Sequence, residues 1–474
     1  MEDTLVDNNA ASTAPSMLAS DIEKFNNERL SIIKKKYLQH DEEFIGLGYG
    51  GSESITIFIK DTFGRKIVRK ILNEEFITPH WDKNGKGVML PPVKKAVSQV
   101  NYLVNLPPET RNLFPQVLSH NLPDNTSLMT QAREYQYDMT YVGGIEISRF
   151  VREYSPSPKI VAMLYAEIFR VLKEKVHSQR RTDIVCETLE QSYFKKIEAR
   201  LLLSHNTSPK VFSSQLLDAD YIDLNGKTLR NWHVIIDRLR NNESFRRILE
   251  PKHHCLVVGD TNTENIKIEN IKPLLNIDES LPFCFKQFDA DDIGIRFLDP
   301  RAIGFHVDGV DTGVDDYMYD NKPWHNSIGN YDHIHGEHFD IGFEIGNINP
   351  KLNIMIHKDS PYYYSYSGID RYFSYVMNSV YEYFDSEGKS HNEDPNWLVR
   401  FAFVMGTHFM AMPPFHFVKT GSGEFKDDAQ SQKRALAVFA EGIRWLNCAV
   451  DILEGKRKTF LGMDVNFDTR FQYD

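Results

Sequence analysis

Apolar positions along this chain change period several times. Residues 20–40 (SDIEKFNNERLSIIKKKYLQ) space them by three or four, which predicts an amphipathic helix. From 41 to 72 the pattern becomes alternating and rich in Ile, Val and Phe. A turn is expected at Phe63-Gly64, so this stretch predicts two or three antiparallel strands. Residues 76–91 hold Pro and Gly without a period and read as a loop, and a helix follows at about 92–105. Strands return over 114–142. Helical spacing then runs from about 145 to 204, most clearly in KIVAMLYAEIFRVLKEKV and SYFKKIEARLLL. Mixed short segments fill 211–300, and 301–340 reads as irregular. Residues 368–385, 396–411 and 429–453 are again helical, and no internal repeat is found. A small β-rich part thus precedes a larger, mostly helical one.

Length and composition narrow the class. The chain has 474 residues, enough for about three units of roughly 150 residues or one two-lobed domain with insertions. With 41% hydrophobic and 26% charged residues it is expected to bury a core. Lys plus Arg number 55 against 66 Asp plus Glu, a net charge of −11, which argues against broad binding of nucleic acid or of an anionic membrane. The four cysteines, Cys186, Cys255, Cys284 and Cys448, form no CxxC pair, so reduced thiols and a cytoplasmic location are expected. No apolar run reaches 18 residues. The first 20 residues are polar and acidic, without the cationic start and apolar core of a secretory signal; residues 1–19 are expected to be disordered.

Four local patterns carry candidate chemistry. Gly46, Gly48 and Gly51 fit GxGxxG, where missing side chains let backbone amides approach phosphates. A dinucleotide-binding loop opens a helix; here the glycines lead into the strand ITIFIK, which suits a hairpin folded over a nucleotide. Lys70 lies 19 residues after Gly51 and shares a strand face with Val68. From there it can reach nucleotide phosphates. In CLVVGDTNTENIKI, Asp260 and Asn265 stand five apart between apolar runs that read as short strands. Phosphoryl transfer to a hydroxyl needs a carboxylate near the acceptor and an oxygen ligand for Mg²⁺. Asp299, in IRFLDPRAIG, ends an apolar strand where a second hard oxygen ligand would stand. Taken singly, a glycine-rich turn, an edge-strand lysine, an Asp/Asn-rich turn and a strand-ending Asp explain these patterns as well. Their fixed order is what carries weight.

With VVGDTNTENI, FLDPRAIG, YDNKPWHNSIGNYD (319–332), SYFKKIEARL (192–201) and AMPPFH (411–416), the chain resembles the protein-kinase-like superfamily over about 44–450, in its aminoglycoside phosphotransferase and choline-kinase-like branch. Within that branch it looks most like bacterial phosphotransferases found near capsular polysaccharide biosynthesis. The resemblance implies an α+β, bilobal fold: a small antiparallel β-rich N-lobe over 20–141 and a larger, mostly helical C-lobe over 142–474. It implies ATP and Mg²⁺ as cofactors and a small-molecule hydroxyl as acceptor. Asp260 would be the catalytic base, and Asn265 with Asp299 would hold Mg²⁺. Lys70 would grip phosphates under a lid of Gly46, Gly48 and Gly51. Tyr137-Asp138-Met139-Thr140-Tyr141 would form the hinge, with Met139 and Tyr141 binding the cofactor. Relatives often carry His two residues before the base, where this chain has Val258. They also present Glu to the lysine, where alignment puts Gln99, with Glu74 or Glu75 as substitutes.

Other clusters have plainer explanations. HIHGEH (His333, His335, His338), near His306, suits either a metal site or a polar loop. Arg301 suits a phosphate contact or a salt bridge, and Asp320 a brace for the catalytic loop. The run Tyr362-Tyr363-Tyr364-Ser365-Tyr366 suits a sugar-stacking wall or a packed corner. An acidic C-terminal lobe would suit a cationic acceptor. A peptide or protein acceptor, and a nucleotide-binding scaffold without catalysis, stand as the alternative functions.

Overall fold

The alternation predicted over 41–72 builds the edge of a five-stranded sheet. The computed structural model describes residues 30–48, 54–73, 80–81, 87–88, 92–122, 134–181, 187–283, 286–301, 303, 313–346, 348–384, 390–392, 394–417 and 427–465. The sheet comprises β1 (Glu43–Gly48), β2 (Ile55–Lys60), β3 (Lys66–Asn73), β4 (Val117–His120) and β5 (Glu134–Thr140). Its order is β1-β2-β3-β5-β4, with every neighbouring pair antiparallel. The β2–β3 turn falls at Phe63-Gly64. Asp61 accepts from the backbone amides of Phe63 and Arg65 there, and Gly64 takes φ +76°. A side chain at that angle would be strained.

Both faces of this sheet are covered. Alternation places Ile55, Ile57, Ile59, Ile67 and Ile71 on one face, against Ile33 and Tyr37 of helix α1 (30–37). On the other face Leu72, Tyr135 and Tyr137 meet Ala96 and Val100 of helix α2 (Pro92–Val104). Arg69 lies buried beside α1. It donates to Glu42 (2.6 and 2.8 Å), to Asp138 (2.8 Å from two nitrogens) and to the Tyr37 carbonyl (2.7 Å). Two carboxylates and a carbonyl around one guanidinium satisfy a charge that would otherwise be costly to bury.

The rest of the described chain is mostly helical and shares one large apolar core, built around Pro158–Val171, Trp397–Met410 and Ala429–Leu453. The class is therefore α+β with mainly antiparallel sheets, as expected. Two small sheets organise the middle of the chain. In one, Ile266–Ile268 lies between Ile145–Glu146 and Ile295–Phe297. In the other, His254–Leu256 lies between Arg180–Arg181 and Val314–Asp315.

Local structure departs from expectation in three places. Within 76–91, read as a loop, His80–Trp81 pairs with Gly87–Val88. The helical region 145–204 is interrupted by the pairing of Arg180–Arg181 and by wide π turns at Leu172–Val176 and Thr188–Phe194. Segment 301–340 contains short helices at Tyr317–Asp320, Lys322–Asn326 and Tyr331–His335, each too brief to create a period. The expected lead-in, Gly51, Glu74, Glu75, His306, Cys186 and Cys284 lie outside the described residues. No helix among the described residues is long and apolar enough to cross a membrane.

Candidate active site

Gly46 and Gly48 pair with Phe58 and Thr56 in the β1–β2 hairpin, so the glycine tract leads into a strand. A Cβ on Gly48 would come within 2.8 Å of Thr56, whereas Gly46 has open space around it. Lys70 stands on β3 opposite Tyr137 and is buried. Its ammonium pairs with Asp299 and donates to Gln99 Oε1 at 3.1 Å. The Gln99 amide nitrogen donates to Asp299 Oδ1 (2.5 Å) and to the Pro300 carbonyl (2.9 Å), and its oxygen also accepts from the Tyr137 hydroxyl. Gln99 thus uses both ends of its amide to join β3, β5 and the Asp299 loop. A glutamate could not donate those two bonds.

Asp299 follows the strand Ile295–Phe297 with φ +46°, in the left-handed region. A non-glycine residue held there needs firm surroundings, and such positions cluster at functional sites. Two backbone bonds tie its loop to the Asp260 loop: Leu298 N–H to the Asn265 carbonyl (2.7 Å) and Arg301 N–H to the Val258 carbonyl (2.8 Å).

Asp260 and Asn265 lie on the loop between His254–Leu256 and Ile266–Ile268. The Asn265 amide nitrogen donates to the Asp260 carbonyl at 3.1 Å, which leaves the oxygen as the end suited to a cation. Asp260 is 7% exposed. Lys322 Nζ lies 2.5 Å from its Oδ1 and Arg301 Nε lies 3.1 Å from its Oδ2. Burial opposes ionisation, but these two cations outweigh it and hold the carboxyl below the usual carboxylate range. Gly259, with φ +79°, sits so close to Arg301 that a Cβ would lie 2.4 Å from its carbonyl oxygen.

The loop is braced from beneath. Asp320 accepts from the Val258 and Gly259 amides, each at 2.8 Å, and its backbone carbonyl accepts from Thr261 Oγ1 at 2.7 Å. Nε2 of His177 lies 2.9 Å from the same carboxylate. Val258, where the resemblance led to an expected His, is therefore anchored through its backbone. Thr263 bonds to buried Asp332, whose carboxyl burial pushes up to about 7.

Some expectations are narrowed. Within Tyr137–Tyr141, residues up to Thr140 belong to β5. That strand is flanked by β3 and β4, so ladder bonding takes up its backbone. The Thr140 amide donates to the Gln116 carbonyl. Met139 pairs with Val68 and Val117 inside the sheet, and Tyr141 follows its end. The Tyr141 ring has Lys66 and Lys267 at 5.6 and 5.8 Å. Tyr362 and Tyr366 are buried and stacked, and Tyr366 donates to Asp332 at 2.6 Å, so these two form a packed corner while Tyr364 is exposed. His333 bonds to Ser360, and among the described residues no three His, Cys, Asp or Glu side chains are grouped to hold a metal.

Sequence reasoning gave no role to Lys322, Tyr319, Lys196 or His177. Lys322 and Tyr319 lie in YDNKPWHN and Lys196 in SYFKKIEARL, so their tracts were visible while their convergence was not. Among known proteins, no family model and no curated protein matches this chain. The expected closeness to capsular-polysaccharide phosphotransferases therefore finds no counterpart. The crystal structure of choline kinase from Cryptosporidium parvum Iowa II superposes on it with a TM-score of 0.39 and 9% identity, over 91% of this chain and 97% of that one.

Proposed function

We propose that the chain is an ATP- and Mg²⁺-dependent phosphotransferase of two lobes, acting on a hydroxyl of a small molecule. The observation that carries this reading is the stapled pair of loops. It sets Asp260 and Asn265 on one side, and Asp299 with Lys70 and Gln99 on the other. Few simple chemistries need a glycine hairpin, a buried lysine, two hard oxygen ligands and a separate carboxylate together; phosphoryl transfer does.

In this reading Asn265 Oδ1 and Asp299 hold the metal, and Lys70 leaves Asp299 to grip nucleotide phosphates. Bound Mg²⁺ would neutralise charge on the phosphoryl oxygens. Asp260 takes the hydroxyl proton as the new oxygen–phosphorus bond forms. The bond to the departing diphosphate breaks with its electron pair leaving on ADP. Lys322 and Arg301 fix the Asp260 carboxylate until the acceptor arrives.

The test is ADP release from Mg-ATP against pooled sugars, amino alcohols, sugar acids, nucleosides and peptides. Asp260→Asn should keep Mg-ATP binding while turnover falls by about 10²–10⁴-fold, the usual contribution of a positioned base. Turnover near that of the unaltered protein would remove Asp260 from this role. Gln99 in place of a glutamate favours one other reading, a nucleotide-binding scaffold. Mg-ATP binding without acceptor-dependent ADP release would support that instead.

A further inference from the structure

Charge around the candidate base runs against the charge of the chain. The whole sequence carries −11, yet the wall bearing Asp260 gathers cations. Lys322 and Arg301 contact its carboxylate. Beside them, the ring of Tyr319 has two ammonium groups close to it, Lys196 at 4.6 Å and Lys322 at 5.6 Å. Arg200 lies one turn beyond Lys196 on the same helix, Lys195–Thr207, with its guanidinium 4.6 Å from the Phe415 ring.

Lys196 is the group that the base does not explain. Its hydrogen bond goes to the Tyr319 hydroxyl, a neutral partner, and no carboxylate among the described residues lies within ion-pair distance. Asp315, the next acid, is turned to the hydroxyls of Thr188 and Ser192 at 2.7 and 2.5 Å. Burial, with Arg200 and Arg301 adding to it, drives the Lys196 ammonium down to about 7. Holding the Lys196 charge beside two guanidinium groups, with no carboxylate of its own at ion-pair distance, is unfavourable unless an anion joins it. A cationic acceptor would meet repulsion here, the opposite of what an acidic C-terminal lobe suggested.

Resting on the phosphotransferase reading, we propose that the acceptor carries an anionic group, a phosphate or a carboxylate, which docks on Lys196 and Arg200 while its hydroxyl faces Asp260. Guanidinium suits the planar, two-point recognition of such groups, and lysine supplies a point charge beside it.

The probe is inorganic phosphate, titrated calorimetrically into the full chain and into Lys196→Met, Lys196→Arg and Lys36→Ala. Millimolar binding is expected, weakened at least tenfold in Lys196→Met and restored within a few-fold in Lys196→Arg. Lys36→Ala should leave it unchanged, since Lys36 is an exposed lysine of α1 paired with Glu134, outside the candidate site. Competition by glucose 6-phosphate and by glucuronate then separates a phosphate from a carboxylate source. Absence of phosphate binding, or binding that survives Lys196→Met, overturns the proposal. ADP release on the same preparations separates the two ideas. Lys196-dependent anion binding with no ADP release from any acceptor sinks phosphoryl transfer alone. Release that favours cationic acceptors, at a rate indifferent to Lys196, sinks the anionic acceptor alone.

Discussion

Lys70 and Asp299, 229 residues apart in sequence, form a direct ion pair, and the amide of Gln99 bonds to both. The lysine that would grip phosphates and the carboxylate that would hold a cation thus neutralise each other before either ligand is present. Nucleotide and metal must separate them together.

This makes Gln99→Glu informative. The change removes two donated bonds, to Asp299 and to the Pro300 carbonyl, and sets a second carboxylate against the first. Stability without Mg²⁺ should fall by about 1–3 kcal/mol, the range for leaving buried polar groups unmatched. Saturating Mg²⁺ should recover part of that loss by drawing Asp299 away. Urea denaturation with and without Mg²⁺ measures both; equal losses in the two conditions would remove Asp299 from the metal site.

Gly259→Ala tests the close approach behind the base. The new Cβ would meet the Arg301 carbonyl at 2.4 Å, on a backbone with φ +79°. Such strain costs of order 1–3 kcal/mol and would displace Asp260. A destabilised protein with reduced turnover is expected from melting curves and steady-state assays. Gly342→Ala, where a Cβ meets open space away from the candidate site, serves as the quiet comparison.

Arg69→Ala would leave Glu42 and Asp138 buried against each other without their shared guanidinium. Breaking a buried pair in this way typically costs about 3–5 kcal/mol. The denaturation midpoint should drop sharply. Asp138→Asn, which keeps a hydrogen-bond acceptor, should cost less.

The pH response of Lys196 has a definite sign. Its neighbours are Tyr319, Arg200, Arg301, Asp260 and Asp315, with His408 on the far side of the Tyr319 ring. Folding lowers its pKa to about 7 from 10.5, so the folded chain binds fewer protons than the unfolded one between those values. Its burden on stability is full below pH 7 and fades as pH rises towards 10.5. Lys196→Met should therefore stabilise the protein at pH 6 and gain little at pH 10. Affinity for an anionic probe should weaken above pH 7 in the unaltered chain.

Local patterns were the legible part of this molecule. The β1–β2–β3 meander declared itself because every second residue from Ile55 to Ile59 is apolar, and Asp260, Asn265 and Asp299 did so through apolar runs that end beside them. What stayed hidden was assembled across distance. Lys322 meets Asp260 from a five-residue helix, Lys196 and Tyr319 join it from other elements, and no period links positions 59 or more residues apart. His177 reaches Asp320 across 143 residues. The segment expected to form the hinge, Tyr137–Tyr141, alternates as a strand does, and all but its last residue belong to β5.

The two backbone staples, Leu298 to Asn265 and Arg301 to Val258, carry a consequence for ligand order. In the proposed reading, the base Asp260 and the metal-binding Asp299 stand on two loops tied to each other through main chain. A nucleotide that drew Asp299 out of its pair with Lys70 would then also move the peptide units on which Asp260 is mounted. Occupation of one pocket would be felt in the other, and by thermodynamic reciprocity an acceptor seated at Asp260 would alter nucleotide affinity by the same factor. Communication between the two substrates needs no hinge or subunit contact, only a pair of amide protons held by opposing carbonyls.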